Sequence, residues 1–109
     1  MPYDEKLAKR VRKLFAQRKG FEEKKMFGGI ALLHNGNMCV AVWTNYLILR
    51  VGMENYEKCL TEEGMKEFDL TGRSMRGWVM AKPELIATED DLKFWSKIAV
   101  KFVKTLPAK

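Results

Sequence analysis

The stretch KKMFGGIALLHNGNMCVAVW, residues 24–43, decides the fold because it joins two apolar runs through a short polar gap. Both runs contain β-branched and aromatic residues, which favour strands over helices. Asn35 and Gly36 lie in the gap, and both tolerate the positive φ of a type I′ turn. The stretch therefore predicts an antiparallel hairpin, with one strand over residues 24–34 and the next over residues 37–43.

Two glycines, Gly28 and Gly29, interrupt the first of these strands. Glycine permits a bulge, or a close approach to a neighbouring chain, without a Cβ clash. We interpret the pair as a bulge or a close packing contact. Its expected neighbour is the strand that carries Gly77 and Trp78, or the helix that covers that strand. The alternative is that the break in the strand binds a ligand.

Outside this hairpin, helical and strand patterns alternate along the chain. Apolar residues recur at helical spacing in three segments, for which Asp4, Gly64 and Thr88 supply end signals. These predicted helices cover residues 4–18, 53–63 and 88–106. Further strands are predicted at residues 46–51, 66–70 and 74–81, with turns at Thr44–Asn45 and at the segment TGR, residues 71–73.

The predicted elements follow the order α-β-β-β-α-β-β-α. Successive strands are joined by short hairpins, so the five-stranded sheet should be antiparallel. Helices are then needed to cover its apolar face, which predicts an α+β fold built as a two-layer α/β sandwich. At 109 residues the chain has room for a single domain, over residues 1–109.

Composition and termini indicate an ordinary globular domain. Apolar residues make up 47% of the chain and charged residues 31%, and no apolar run approaches the roughly 20 residues of a membrane helix. The start, MPYDEKLAKR, lacks the apolar segment of a secretory signal. We therefore expect a cytoplasmic protein that is not bound to a membrane.

The residues that usually carry chemistry do not form a recognisable site. Cys39 and Cys59 match no zinc or redox spacing and are expected to be small core residues, without a metal or a disulfide. His34, the only histidine, is expected to be solvated at a hairpin tip, with no nucleophile placed beside it. The sequence contains no phosphate loop or dinucleotide fingerprint. It therefore predicts no cofactor, no catalytic residue and a protein that is not an enzyme.

Basic residues recur on the first and last predicted helices, in a chain with a formal net charge of +6. Spacing places them on one face of each helix: Lys6, Lys9, Arg10 and Lys13 on the first, and Lys93, Lys97, Lys101 and Lys104 on the last. Such faces favour phosphate backbones electrostatically. Lysine is also a common residue on any solvated helix face. The nucleic-acid interpretation is therefore weak, non-specific binding, and the alternative is a solvated surface.

Three arginines, Arg50, Arg73 and Arg76, lie on or beside predicted strands, where a long cation is less expected. Together they would clamp an anion or an acidic partner, because a guanidinium pairs with two oxygens at once. The alternative is that each pairs with a nearby carboxylate such as Glu67 or Asp69.

The same elements resemble a known family. The segments KKMFGGIALL, GNMCVAVW, LILRVG and FDLTGRSMRGWV, with the closing W, A, F and TLPAK, are similar to the N-terminal domain of the TfoX/Sxy family of bacterial competence regulators. The match runs from Lys24 to Lys109 and is most specific at Met26–Gly29 and Gly72–Val79. The resemblance implies a secretion-chaperone-like architecture and a role in transcription regulation, with no established catalytic residues. We interpret the chain as a free-standing N-terminal domain.

The sequence thus predicts a non-catalytic regulatory or protein-interaction module with an unidentified protein partner. A homodimer is one alternative for that partner. A second alternative is a small-molecule-binding or anion-binding protein, or an enzyme, with a pocket near Gly28 and Gly29 and the hairpin from Arg73 to Trp78. The candidate ligand or partner residues are Met26, Phe27, Gly28, Gly29, Arg50, Arg73, Arg76, Gly77 and Trp78.

Overall fold

Three α-helices and six β-strands make up the described part of the chain, which covers residues 3–16, 18–26, 28–68 and 76–107 of a computed structural model. In chain order they are α1 (Glu5–Phe15), β1 (Phe21–Met26), β2 (Gly29–His34), β3 (Asn37–Trp43), β4 (Tyr46–Arg50), α2 (Met53–Leu60), β5 (Met65–Glu67), β6 (Trp78–Ala81) and α3 (Glu89–Val103). A short 3-10 helix, Pro83–Ile86, precedes α3. The predicted α+β class is confirmed.

All neighbouring strands pair antiparallel, in the order β1-β2-β3-β4-β6-β5. The antiparallel prediction is confirmed, but the prediction of five strands is wrong because the sheet has six. The predicted strand over residues 24–34 is in fact the end of β1 and all of β2. Gly28, with φ 75°, lies in the tight link between them, where Met26 pairs with Gly29.

The sequence pattern missed β1 because its segment, FEEKKM, has no apolar alternation. Its four central charged residues are exposed, as suits the edge of a sheet that must not pair with another chain. Arg12 of α1 holds this edge strand through a bidentate ion pair, with its Nε and Nη2 donating to the two carboxylate oxygens of Glu23 at 2.8 and 2.9 Å. That pair lowers the pKa of Glu23.

The β2–β3 hairpin forms as predicted. Asn35 and Gly36 have φ of 50° and 85°, the positive values that a type I′ turn requires. Thr44 also has positive φ, in the link between β3 and β4. The register shift in this hairpin lies between Leu32 and Leu33, so the predicted bulge at the glycine pair is wrong.

Gly29 instead makes a close packing contact, which is the other half of that prediction. A Cβ at this position would overlap the backbone carbonyl oxygen of Val42 on β3. The neighbour is therefore β3, and the prediction of β6 or its covering helix is wrong. Within the predicted strands at 66–70 and 74–81, the described residues form β5 and β6, whereas residues 69–75, which include the TGR turn, lie outside the described residues.

The three helices pack against one face of the sheet, in the larger of two apolar clusters. This cluster joins the inward faces of α1, α2 and α3 to alternate residues of β2, β3, β4 and β6. The opposite face is also buried, although the sequence indicated only one apolar face. Its cluster consists of Ala31, Leu33, Met38, Ala41, Ile48, Phe68 and Met80, flanked by Trp43, Tyr46 and Trp78.

The two predicted N-terminal caps form, whereas α2 ends at Leu60, four residues before the predicted stop at Gly64. The carboxylate of Asp4 accepts hydrogen bonds from the backbone N–H groups of Lys6 and Leu7, and the hydroxyl of Thr88 accepts one from the N–H of Asp91. Among the described helices, none combines the length and the apolar character needed to cross a membrane.

Candidate functional site

The two sequence motifs proposed to share a pocket lie apart. Gly29 is at one end of β2, beside the row in which Ile30, Val42, Leu47 and Ala81 stand opposite one another. Trp78 is three residues from Ala81, about 10 Å along β6, and β6 lies three strand spacings, about 14 Å, from β2. The described residues of the two motifs therefore form no common pocket. Phe27 and Arg73 lie outside the described residues, as does the side chain of Met26.

Three of the candidate ligand residues, Arg50, Gly77 and Trp78, lie together at one end of the sheet. Arg50 stands opposite Trp78 in the β4–β6 register. The guanidinium carbon of Arg50 lies 5.1 Å from the centroid of the Trp78 ring. The carbonyl of Gly77 accepts hydrogen bonds from the N–H groups of both Val51 and Gly52, at 2.9 and 3.0 Å. Arg76 is exposed in the turn that precedes β6.

Of the eight basic helix residues predicted as a nucleic-acid surface, seven are exposed lysines and one, Arg10, is engaged within the protein. The Arg10 side chain donates to the carboxylate of Glu89 at 2.9 Å and to the carbonyl oxygens of Ile86 and Thr88 at 2.6 and 3.1 Å. These bonds fasten α1 to the start of α3. Arg10 therefore has a structural position rather than a place on a binding face.

A groove between α1 and α3 collects part of the basic surface. It consists of two adjoining depressions of about 410 and 420 Å³, which share Arg18 and Lys93. We call this surface the cationic groove. It is lined by Lys13, Leu14, Arg18, Glu89, Asp90, Lys93, Phe94 and Lys97. The structure thus brings Lys13 together with Lys93 and Lys97, whereas Lys6, Lys9, Lys101 and Lys104 do not line the groove.

The cationic groove is both charged and apolar. Four cations face two carboxylates, of which Glu89 is already paired with Arg10. Phe94 is 59% exposed, and its ring meets that of Trp95 edge to face at 4.9 Å. An exposed aromatic ring among lysines offers a partner apolar contact as well as charge.

Sequence reasoning missed Leu14, Arg18 and Phe94 as parts of this surface. For Phe94 a signal was present, because it falls outside the apolar stripe of α3 and stands between Lys93 and Lys97 on the polar face. Arg18 follows the end of α1, so the periodicity of that helix does not place it.

The two cysteines and the histidine do not line the cationic groove, and their contacts are those of packing residues. Cys39 and Cys59 are free and buried, as predicted, and burial raises the pKa of Cys39 to about 12 and also raises that of Cys59. His34 is half-buried against Phe21, with ring centroids 5.0 Å apart, so the prediction that it is solvated is wrong. No group of metal-ligating side chains is found among the residues that the structure describes.

Comparison with known proteins supports the resemblance seen in the sequence. The family model described as the TfoX N-terminal domain matches residues 13–103, nearly the whole chain. Comparisons with curated proteins and with solved structures yield no match. The matched residues include all six described strands, α2 and α3. They also include every residue that lines the cationic groove, from the end of α1 and just beyond it as well as from α3. The chain belongs to the TfoX N-terminal domain family.

Proposed function

We propose that this protein is a non-catalytic regulatory or interaction module, and that the cationic groove docks an acidic segment of a partner protein. The observation that carries the proposal is the exposed Phe94 ring standing among Lys93, Lys97 and Arg18 along one groove. A polypeptide with acidic side chains around an apolar residue complements this combination.

Charge alone would fit a nucleic acid equally well, but two features of the groove favour a peptide. Glu89 and Asp90 line it together with the cations, and they repel an unbroken row of phosphates more than a peptide whose acids are spaced apart. Leu14 adds a half-buried apolar surface beside Lys13. The charged, hydrated backbone of a duplex offers less apolar surface for that position than a Leu or Phe side chain of a peptide does.

Phe94 should contribute most of the binding free energy, whereas the cations should set the association rate and the orientation of the partner. Binding energy at interfaces concentrates in a few buried anchors, and aromatic side chains are common among them. Exposed lysines contribute mainly to long-range attraction, which salt screens. We therefore expect affinity for a partner segment to depend on both an apolar contact and ionic strength.

A charge-reversal pair on α3 tests the proposal with a control on the same helix. The probe is a short fluorescent peptide rich in Glu with one central Phe, and binding is followed by fluorescence anisotropy. Lys93→Glu with Lys97→Glu should weaken binding by at least about tenfold, since each substitution replaces attraction by repulsion. The control pair, Lys101→Glu with Lys104→Glu, makes the same change of net charge outside the groove and should have little effect.

Two further comparisons separate a protein partner from a nucleic acid. A peptide whose Phe is replaced by Ser, and the variant Phe94→Ser, should each lose several-fold affinity at unchanged charge. Equal loss from both lysine pairs would contradict a groove site, because it would show that only net charge matters. Tighter binding of a single-stranded or duplex oligonucleotide than of the peptide, lost specifically with Lys93 and Lys97, would assign the groove to nucleic acid and overturn the proposal.

A further inference from the structure

We propose a second site, separate from the cationic groove and independent of the function proposed for it: Arg50, which lies against the rings of both Trp78 and Phe102, binds an oxyanion, the carboxylate or phosphate group of a ligand. The guanidinium carbon lies 5.1 Å from the Trp78 centroid and 5.9 Å from the Phe102 centroid. The two rings come from different elements, β6 and α3, so the fold itself assembles the arrangement.

The surrounding backbone fixes both rings. A Cβ at Gly52 would overlap the ring of Phe102, so this ring lies directly against the glycine backbone. Gly52, with φ 85°, is held in turn by its N–H bond to the carbonyl of Gly77. Trp78 follows Gly77 and also packs near Phe68, at 6.1 Å between centroids. Arg50 is therefore presented by a rigid setting, which lowers the entropy lost when it binds an anion.

The chemistry of the guanidinium matches this placement. The face of an aromatic ring attracts a cation. The guanidinium group is planar, and its five N–H donors point outward in its plane. Arg10 and Arg12 use their donors within the protein, on Glu89, Glu23 and backbone carbonyls. The side chain of Arg50 makes no hydrogen bond or ion pair with another side chain that the structure describes, and its contacts are with the two rings. A guanidinium in this position can offer its in-plane donors to a ligand with two oxygens at the spacing of a carboxylate or phosphate.

A cavity beside Phe102 could hold the rest of a ligand whose anionic group binds Arg50. Phe102 also lines a surface cavity of about 480 Å³ between α2 and α3, together with Glu54, Asn55, Ile98, Lys101 and Thr105. Lys101 adds a second cation near the same ring, while Glu54 adds one carboxylate. Partial burial beside aromatic rings lowers the local dielectric, which strengthens an ion pair with Arg50 relative to one on an open surface.

The three tryptophans of the chain supply both the reporter and its internal controls. The intact protein is titrated with sodium acetate or sodium phosphate at constant ionic strength, and the indole N–H signals are followed by NMR. Trp78→Phe assigns the Trp78 signal. We expect the Trp78 signal to shift to saturation while those of Trp43 and Trp95 stay in place. The titration with the lower dissociation constant identifies carboxylate or phosphate as the preferred group.

Substitutions of Arg50 test whether its guanidinium is the group that binds the anion. Arg50→Gln should abolish the Trp78 shift, and Arg50→Lys, which keeps the charge but loses the fork, should weaken binding by about tenfold. Lys66→Gln is the matched control, because Lys66 is another cation over an aromatic ring, with its Nζ 6.0 Å from the Tyr46 centroid, and it should leave the titration unchanged. A Trp78 signal that does not respond to either anion, or that responds equally in Arg50→Lys and wild type, would overturn the proposal. Failure of the acidic peptide to bind the cationic groove would leave this result unaffected, because the two sites are tested with different probes.

Discussion

At the scale of single residues, Gly29 shows how the absence of one atom sets the spacing of two strands. A side chain there would meet the backbone carbonyl of Val42, which a rotamer change cannot move. Gly29→Val should therefore destabilise the fold by about 1–3 kcal/mol through overpacking. A urea melt measures the change.

The control for this prediction is Lys24→Val, which introduces the same residue at an exposed position of β1 and should change the free energy of unfolding by less than about 0.5 kcal/mol. Full stability of Gly29→Val, combined with loss of binding to a partner, would mean that the glycine serves a binding site and that our structural explanation is wrong.

The cysteines yield a second prediction at this scale. The thiolate is the reactive form, and burial raises the pKa of Cys39 to about 12 and that of Cys59 above its usual value. At pH 8 both thiols should therefore resist iodoacetamide in the folded protein and react in urea. Intact mass spectrometry counts the adducts. Rapid native alkylation, or a mass that shows a Cys39–Cys59 bridge, would contradict the prediction.

Local rules explain which residue predictions succeeded. Asp4, Thr88, Asn35 and Gly36 act on backbone groups within a few positions, so their roles could be inferred from neighbouring sequence. The role of buried Asn37 could not be inferred in this way, because its side-chain amide donates to the carbonyl of Pro107, seventy positions away. The prediction that His34 is solvated failed for a similar reason, since the ring that it contacts, Phe21, lies on another strand.

At the scale of elements, Arg10 joins α1 to the start of α3. Its guanidinium satisfies two backbone carbonyls and the carboxylate of Glu89. Arg10→Ala should lower the free energy of unfolding by about 1–2 kcal/mol, because charge-assisted hydrogen bonds are lost and the Ile86 carbonyl loses its donor. A urea melt beside Lys9→Ala, an exposed neighbour on the same helix, isolates the effect. Equal stability of the two variants would show that the bonds contribute nothing.

Element prediction failed where pairing with a neighbouring strand, or burial on both faces, decides the structure rather than the local pattern. β1 reads as FEEKKM, and only the adjoining β2 makes it a strand. β2 reads as an unbroken apolar run because both of its faces are covered, so its sequence could not indicate which side the helices occupy. In contrast, α1 and α3 expose one face each, and their apolar periodicity predicted them correctly.

At the scale of the whole molecule, strand order determined which candidate residues meet. The placement of β6 between β4 and β5 brings Trp78 beside Arg50 and leaves Gly29 three strands away. Pairing between distant segments depends on the packing of the complete core, which no local pattern reports. The sequence therefore predicted Arg50 and Trp78 as candidates without indicating that they are neighbours, and its proposed pocket placed Gly29 near Trp78 incorrectly.

Net charge predicts the behaviour of the whole molecule toward DNA. With a formal charge of +6 and exposed lysines on α1 and α3, any binding to duplex DNA should be sequence-independent. It should also fall steeply as salt rises, because counterion release drives it. Electrophoretic mobility shifts with two unrelated duplexes at several salt concentrations measure both properties. A footprint on one sequence that persists at high salt would contradict this prediction.

The last prediction concerns the relation between the cationic groove and the Arg50 site, which share helix α3. Phe94 and Phe102 are eight residues apart, about 12 Å along the helix, and substitutions at that separation without a shared partner usually act independently. Phe94→Ser, which removes the aromatic ring of the groove without a change of charge, should thus change the acetate affinity of the Arg50 site by less than about twofold. The readout is the Trp78 indole signal, with Arg50→Lys as the variant that does weaken binding. A Trp78 shift when the groove peptide binds would contradict independence, because it would mean either that α3 couples the two sites or that one acidic partner spans both.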